Sequence, residues 1–267
     1  MNKKYKQVWN PEKGHPELKK IKENEKWKFD FGESIGILAF GQWFPAICHG
    51  HQTYMTTYDF PIRLKFVDSP LPPDDIDEEK ERKYRGWNLP EWIKCAKELE
   101  KEGVKAIATG CGITGTIQRE LSNSVNIPVF TSTILFVPVI YNSLSSGKKV
   151  GILTASSKLI TRWDNMLLRE CGVDESIPIV ISGMSESGYC EIWWSQLNQG
   201  FNKKKVEEAI VEVALKMISD EPNIGAIVCE CTEMPPYSEA IKDATGLPVF
   251  DAVDMVNYVY SLVKNKE

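Results

Sequence analysis

Two cysteines carry the chemistry that this sequence suggests. Cys111 closes the segment VKAIATGC, and Cys231 closes IGAIVCEC 120 residues later. The same offset carries Ala106 and Ile107 onto Ala226 and Ile227, and Pro128, Val129 and Phe130 of NIPVF onto Pro248, Val249 and Phe250 of GLPVF. A duplicated unit of strand, cysteine, helix and strand predicts two lobes facing a shared cleft, with one thiol on each wall. A free thiol ionises near ~8.5, so a thiolate and a thiol can coexist in one tuned site. That pairing suits proton transfer at opposite faces of a single carbon.

The elements that must position these thiols follow from periodicity. Residues 34–40 (SIGILAF) and 149–154 (within KKVGILTA) read as matching strands, Gly36, Ile37 and Leu38 echoing Gly151, Ile152 and Leu153. Further strands are expected at 62–67, around 106–109, and at 127–130, 177–182, 224–229 and 247–250. Pro90 opens a helix that Gly103 stops after Glu102. A helix is expected near 114–124, and another at 203–219 buries Val206, Ile210, Val213 and Met217 at helical spacing. Short apolar strands alternating with helices indicate parallel sheets covered on both faces. Ligands then bind beyond the carboxyl ends of the strands, where Cys111 and Cys231 fall. Residues 1–33 read as a polar extension in which ELKKIKENEKWK forms a surface helix. The lobes are expected over 34–147 and 148–251, followed by a C-terminal helix at 252–265.

A free cysteine is most often a small buried hydrophobe, and that reading is taken for Cys48, Cys95, Cys171 and Cys190. Cys229, two residues before Cys231, is read as core or as backing for the site. Cys111 and Cys231 are set apart by their equivalent places in the repeat. Each precedes a predicted helix whose first amides favour a thiolate and an anionic ligand. Candidate substrate donors are the amides of Gly112, Ile113 and Thr114, the Thr232 hydroxyl, and Thr154 at its strand end, followed by Ser132 and Thr131. Glu233 either tunes a thiol or a substrate ammonium, or caps the helix. Cys48, His49 and His51 of CHGH resemble metal ligands but lack a fourth partner at recognisable spacing, so no metal is assigned and the histidines are read as loop or cleft residues. Trp193 and Trp194 are read as packing anchors.

The paired cysteines, TGCGIT in one half, ECTEMPPY in the other and the repeated GIL strands resemble the cofactor-independent aspartate/glutamate racemase family over roughly residues 34–262. That resemblance implies an α/β fold of two pseudo-symmetric Rossmann-like lobes with an active-site cleft between them, the C-terminal helix at 252–265 packing back on the first lobe. It implies a racemase or epimerase of a small carboxylate, an amino acid, in which one cysteine thiolate removes the α-proton and the facing thiol reprotonates the other side. It implies no metal and no pyridoxal phosphate, and a homodimer. The loop after the first strand departs from the pattern: Trp43-Phe44-Pro45-Ala46 stands where relatives carry arginine, and Ala39-Phe40-Gly41 where an acidic residue is usual. Gln42, Trp43 and His51 are expected to build a more apolar, less charged pocket there. Two alternatives stay open. One is a same-fold cysteine enzyme resembling maleate isomerase or arylmalonate decarboxylase; the other is a two-lobed binding protein without turnover.

The 267 residues include 42% hydrophobic and 26% charged residues, an ordinary globular balance. A net charge of −5 gives no signal for nucleic acid. The longest apolar run, Ile127–Tyr141, is too short and too interrupted to span a bilayer. No secretory signal opens the chain, and the seven cysteines are odd in number and irregular in spacing. A cytoplasmic protein without a disulfide framework is expected.

Overall fold

The computed structural model describes residues 5–10, 15–20, 32–40, 48–69, 88–198 and 200–264. Ten strands are described. β1 (Tyr5–Asn10) and β2 (His15–Lys20) form an antiparallel pair. The expected surface helix over residues 17–28 is thus a strand in its first part, and the remainder lies outside the described residues. The other strands form two four-stranded sheets, all parallel.

The first sheet holds β3 (Ile35–Phe40), β4 (Ile62–Val67), β5 (Ala106–Thr109) and β6 (Val129–Phe130), in the order β4-β3-β5-β6. The second holds β7 (Lys149–Thr154), β8 (Ile179–Gly183), β9 (Ile224–Cys229) and β10 (Val249–Phe250), in the order β8-β7-β9-β10. Both sheets therefore share one strand order: second, first, third, fourth. The duplication read from the cysteines is a duplication of topology. β3 and β7 are buried along most of their length, as strands covered on both faces must be.

Local signals set several boundaries. α1 (Leu89–Glu102) has Pro90 in its first turn and ends at Gly103, whose φ of 104° is the left-handed conformation that glycine adopts without cost. Trp92, Cys95, Ala96 and Leu99 recur at helical spacing and bury that helix against the first sheet. The helix expected near 114–124 begins as a 3₁₀ turn (Gly112–Ile117) and continues as α2 (Gln118–Ser124). α4 (Ser157–Glu170), α5 (Cys190–Trp194), α6 (Lys203–Asp220) and α7 (Ser238–Thr245) belong to the second half. There Trp193 is a core residue and the Trp194 indole donates to Ser185 Oγ at 3.0 Å.

The two halves exchange their last helices. After β6, α3 (Val137–Ser143) and the 3₁₀ turn before it pack on the second sheet, where Ile134 and Val137 meet Val150, Ile152 and Val228. After β10, α8 (Ala252–Val263) packs on the first sheet, where Met255, Val256 and Val259 meet Ile35, Ile37, Ala106 and Ala108. The Asp251 side chain caps α8 by accepting from Val253 N and Asp254 N. Phe136 stacks near both Phe130 and Phe250, the equivalent ends of β6 and β10. Among the described residues no helix is long and apolar enough to cross a membrane.

If α8 holds the first lobe together, Met255→Ala will lose about 2–5 kcal/mol in urea unfolding. Leu262→Ala, on the exposed side of the same helix, will lie within about 0.5 kcal/mol of the parent.

Candidate active site

In each sheet the strand order reverses between the first and third strands, and the third strand of each leads into the site. Cys111 follows β5 and Cys231 follows β9. The Cys111 segment is pinned from behind by hydroxyls: Thr109 Oγ1 donates to Thr131 O at 2.6 Å, and Thr114 Oγ1 to Cys111 O at 2.6 Å. Gln118 Oε1 accepts from the Thr131 amide and hydroxyl, fixing the loop after β6. The Cys231 segment is set by Glu230 N donating to Leu153 O at 2.8 Å.

The two segments touch. Thr232 Oγ1 donates to Gly110 O at 2.9 Å across the lobe junction. Thr133 Oγ1 donates to Cys229 O at 3.0 Å beside it. Gly112 lies so close to Glu230 that a Cβ there would sit 2.3 Å from both Glu230 O and its Oε1. Gly112 is thus required for close approach of the lobes. Both thiols are half-buried, and both feel the same two carboxylates, Glu230 and Glu233.

Cys231 Sγ approaches Glu233 Oε2 to 2.6 Å and donates to it. Glu233 Oε1 faces His51 Nε2 at 3.9 Å, beyond direct hydrogen-bond distance. His51 Nδ1 accepts from the Thr53 amide at 3.1 Å, so the ring carries its proton on Nε2, toward Glu233. His51 is buried, and the loop bearing it rests on the second lobe, where Gly50, with φ 96°, packs against Pro236. The other histidine of the motif, His49, turns to Thr56 Oγ1 at 3.3 Å. Among the described residues no cluster of three His, Cys, Asp or Glu side chains is arranged to hold a metal.

Burial pushes both thiols well above their ordinary ionisation range, and the neighbouring carboxylates add to the effect. The amides of Ile113 and Thr114 favour the Cys111 thiolate, and the Glu233 amide favours that of Cys231. For Cys231 no α-helix supplies these donors: a turn and the 3₁₀ segment Pro235–Tyr237 intervene before α7 begins at Ser238. Burial also opposes charge on Glu233, but the His51 imidazole and the Cys231 thiol prevail and hold its carboxyl below the usual value. Glu230 behaves oppositely. Burial pushes it up to about 7; the Thr154 hydroxyl, donating to Oε2 at 2.7 Å, works against this, and Glu233 adds to it.

The remaining expected residues are placed as follows. Thr154 and Thr232 lie at the junction with their hydroxyl protons already engaged by Glu230 and Gly110. Ser132 is buried and caps the next turn by accepting from Ile134 N. Gln42 and Trp43 lie outside the described residues. Cys229 is core, as are Cys95 and Cys171. Sequence reasoning passed over Glu230, whose signal was an acidic residue ending an apolar strand between two cysteines. It also passed over Gln52, which is wholly buried with neither amide atom partnered. The junction thus carries two carboxylates, Glu230 and Glu233, while most of the loop expected to make the pocket more apolar lies outside the described residues.

No family model matches the chain. Over 158 residues it is 31% identical to a dimethylsulfoniopropionate lyase from Durusdinium sp. clade D, covering 58% of this chain and 52% of that protein. The chain spans about half the length of the curated relatives it matches. Its structure superposes on an aspartate racemase homologue from Pyrococcus horikoshii OT3 with a TM-score of 0.53 and 18% identity, over 87% of this chain and 100% of the other. Unliganded arylmalonate decarboxylase gives 0.52 and 12% identity, over 88% and 94%. The fold is the two-lobed racemase fold. Its sequence relative is named for a lyase, which a shared fold accommodates, since reactions reside in sites rather than in folds.

Glu230 gives a stability test. Its carboxyl is raised in the folded chain relative to the unfolded one, so its contribution is fully present below about pH 4.5 and lost as pH rises through about 7. Comparing Glu230→Gln with the parent by urea unfolding across pH 4–9 isolates this loss, expected to reach about 3 kcal/mol.

Proposed function

We propose that this chain is a cofactor-independent thiol acid–base enzyme that removes a proton α to a carboxylate, and that it acts as a lyase on a dimethylsulfoniopropionate-like sulfonium carboxylate. The observation that carries this is the Cys231–Glu233 contact at 2.6 Å, with His51 behind it and Cys111 facing the same carboxylates. Passing the Cys231 proton to Glu233 moves the negative charge from oxygen to sulfur without adding a second charge to the buried site, so the desolvation cost changes little. The thiolate then takes the α-proton. The C–H electron pair becomes the new carbon–carbon double bond, and the β carbon–sulfur bond breaks with its pair going to sulfur. A neutral thioether leaves, an acrylate-type product remains, and Glu233 releases one proton to solvent.

Two observations support elimination from a sulfonium. The similarity to a dimethylsulfoniopropionate lyase is the first. The second is the supply of acceptors. Of the four oxygens on Glu230 and Glu233, one takes the Cys231 thiol, one faces His51 and one takes the Thr154 hydroxyl. An ammonium group needs three hydrogen-bond acceptors; a trialkylsulfonium has no N–H and is held by charge and apolar contact alone.

A racemase of a small amino acid is the second reading, favoured by the second thiol beside the same two carboxylates, because elimination needs only one base. Incubating the protein with dimethylsulfoniopropionate and measuring dimethyl sulfide by gas chromatography tests the first reading. Turnover is expected, with Cys231→Ser reduced at least about 100-fold and Glu233→Gln strongly reduced. Absence of thioether, with deuterium entering the α-carbon of aspartate or glutamate in heavy water, refutes elimination in favour of racemisation.

A further inference from the structure

Glu230 is a buried acid at the lobe junction that the proposed reaction leaves without a task. Its Oε2 takes the Thr154 hydroxyl, and its Oε1 is buried with no hydrogen-bond partner among the described residues. The groups facing it come from every element packed there. Cys231 and Glu233 share its own segment. Cys111 and the Gly112 backbone come from the end of β5. Thr154 comes from β7, and Cys171 from the end of α4. Among these described neighbours there is no lysine or arginine. A carboxylate there, beside Glu233, is a second uncompensated anion, and each thiol must become an anion to work.

We propose that Glu230 is a positioning residue that sets the charge of the site: as a neutral acid wedged between the Cys231 and Cys111 segments it permits a thiolate, and as a carboxylate it suppresses one at both cysteines. This rests on the reading of Cys111 and Cys231 as acid–base thiols, but not on which substrate they serve. Gly112 belongs to the same device, because any larger residue would push Glu230 out of the junction. The burial that favours the neutral acid also keeps its proton within the site, where Oε1 is the oxygen left to bear it.

The test needs no substrate. Iodoacetamide alkylation of the full chain is followed by mass spectrometry, cysteine by cysteine, from pH 6 to 9, with half-buried Cys48 as the internal reference. Glu230→Gln, a permanently neutral replacement, should accelerate alkylation of both Cys111 and Cys231 about tenfold at pH 8, the effect of moving thiol ionisation by about one pH unit. The Cys48 rate should not change. Acceleration at only one of the two thiols, or at neither, overturns the proposal. Should Glu230→Gln fail to fold, Thr154→Val removes the hydroxyl that favours the carboxylate and should accelerate the same two thiols; unchanged rates there overturn the proposal equally. If alkylation accelerates as expected while the parent releases no thioether, the lyase reading fails and the role of Glu230 stands.

Discussion

The structure depends on placing two carboxylates and two thiols at one buried junction without a described cation beside them. A low-dielectric site of this kind tolerates one negative charge far better than two. The protein resolves the conflict by making its two acids unlike. Glu233, attended by His51 and the Cys231 thiol, is the residue that keeps the charge. Glu230, with one hydroxyl for a partner, is the residue that gives it up. Two titratable groups with ionisation pushed in opposite directions by their surroundings are what acid–base chemistry at neutral pH requires.

The exchanged helices explain how so costly an arrangement stays closed. A cleft between two independent lobes would open to relieve the repulsion. Here α3 belongs in sequence to the first half and in space to the second sheet, and α8 does the reverse. Separating the lobes would strip both sheets of a covering face at once, exposing Ile37, Ala106, Val150 and Ile152 to water. The polar ties at the junction are few, chiefly Thr232 to Gly110 and Thr133 to Cys229. They fix register, and apolar burial holds the halves together.

Much of this was legible in the sequence because parallel strands buried on both faces leave a plain record. The bounds of β4, β7 and β9 match the expected 62–67, 149–154 and 224–229 residue for residue, and Pro90 and Gly103 mark α1 through their own backbone preferences. The equivalence of the cysteines survived because both sheets kept one strand order. What escaped was contact between distant segments. Nothing in CHGH indicates that one histidine faces Glu233 while the other turns to Thr56, since 181 residues of chain lie between His51 and Glu233. The charged stretch expected as a surface helix departs from that reading where it is described, because Glu17–Lys20 pair with Tyr5–Val8 as a strand. The helix expected directly after Cys231 is delayed to Ser238 by the consecutive prolines Pro235 and Pro236, which instead begin a 3₁₀ turn.

Elimination and racemisation begin by removing a proton, and decarboxylation by losing carbon dioxide, but each passes through a carbanion-like centre beside a carboxylate. A site that stabilises that centre with preorganised amides and a matched thiol is committed to the centre and not to its fate. The fate belongs to the substrate. A β-sulfonium offers a neutral leaving group, so its carbanion collapses by expulsion before a second thiol can return a proton; an amino acid offers none, and the facing thiol then decides its configuration. The racemase-like fold and the similarity to a lyase are therefore not in conflict. On the proposed reading, selection among the reactions falls on the groups that would recognise the substrate's cation, and so on the acceptors left free around Glu230 and Glu233.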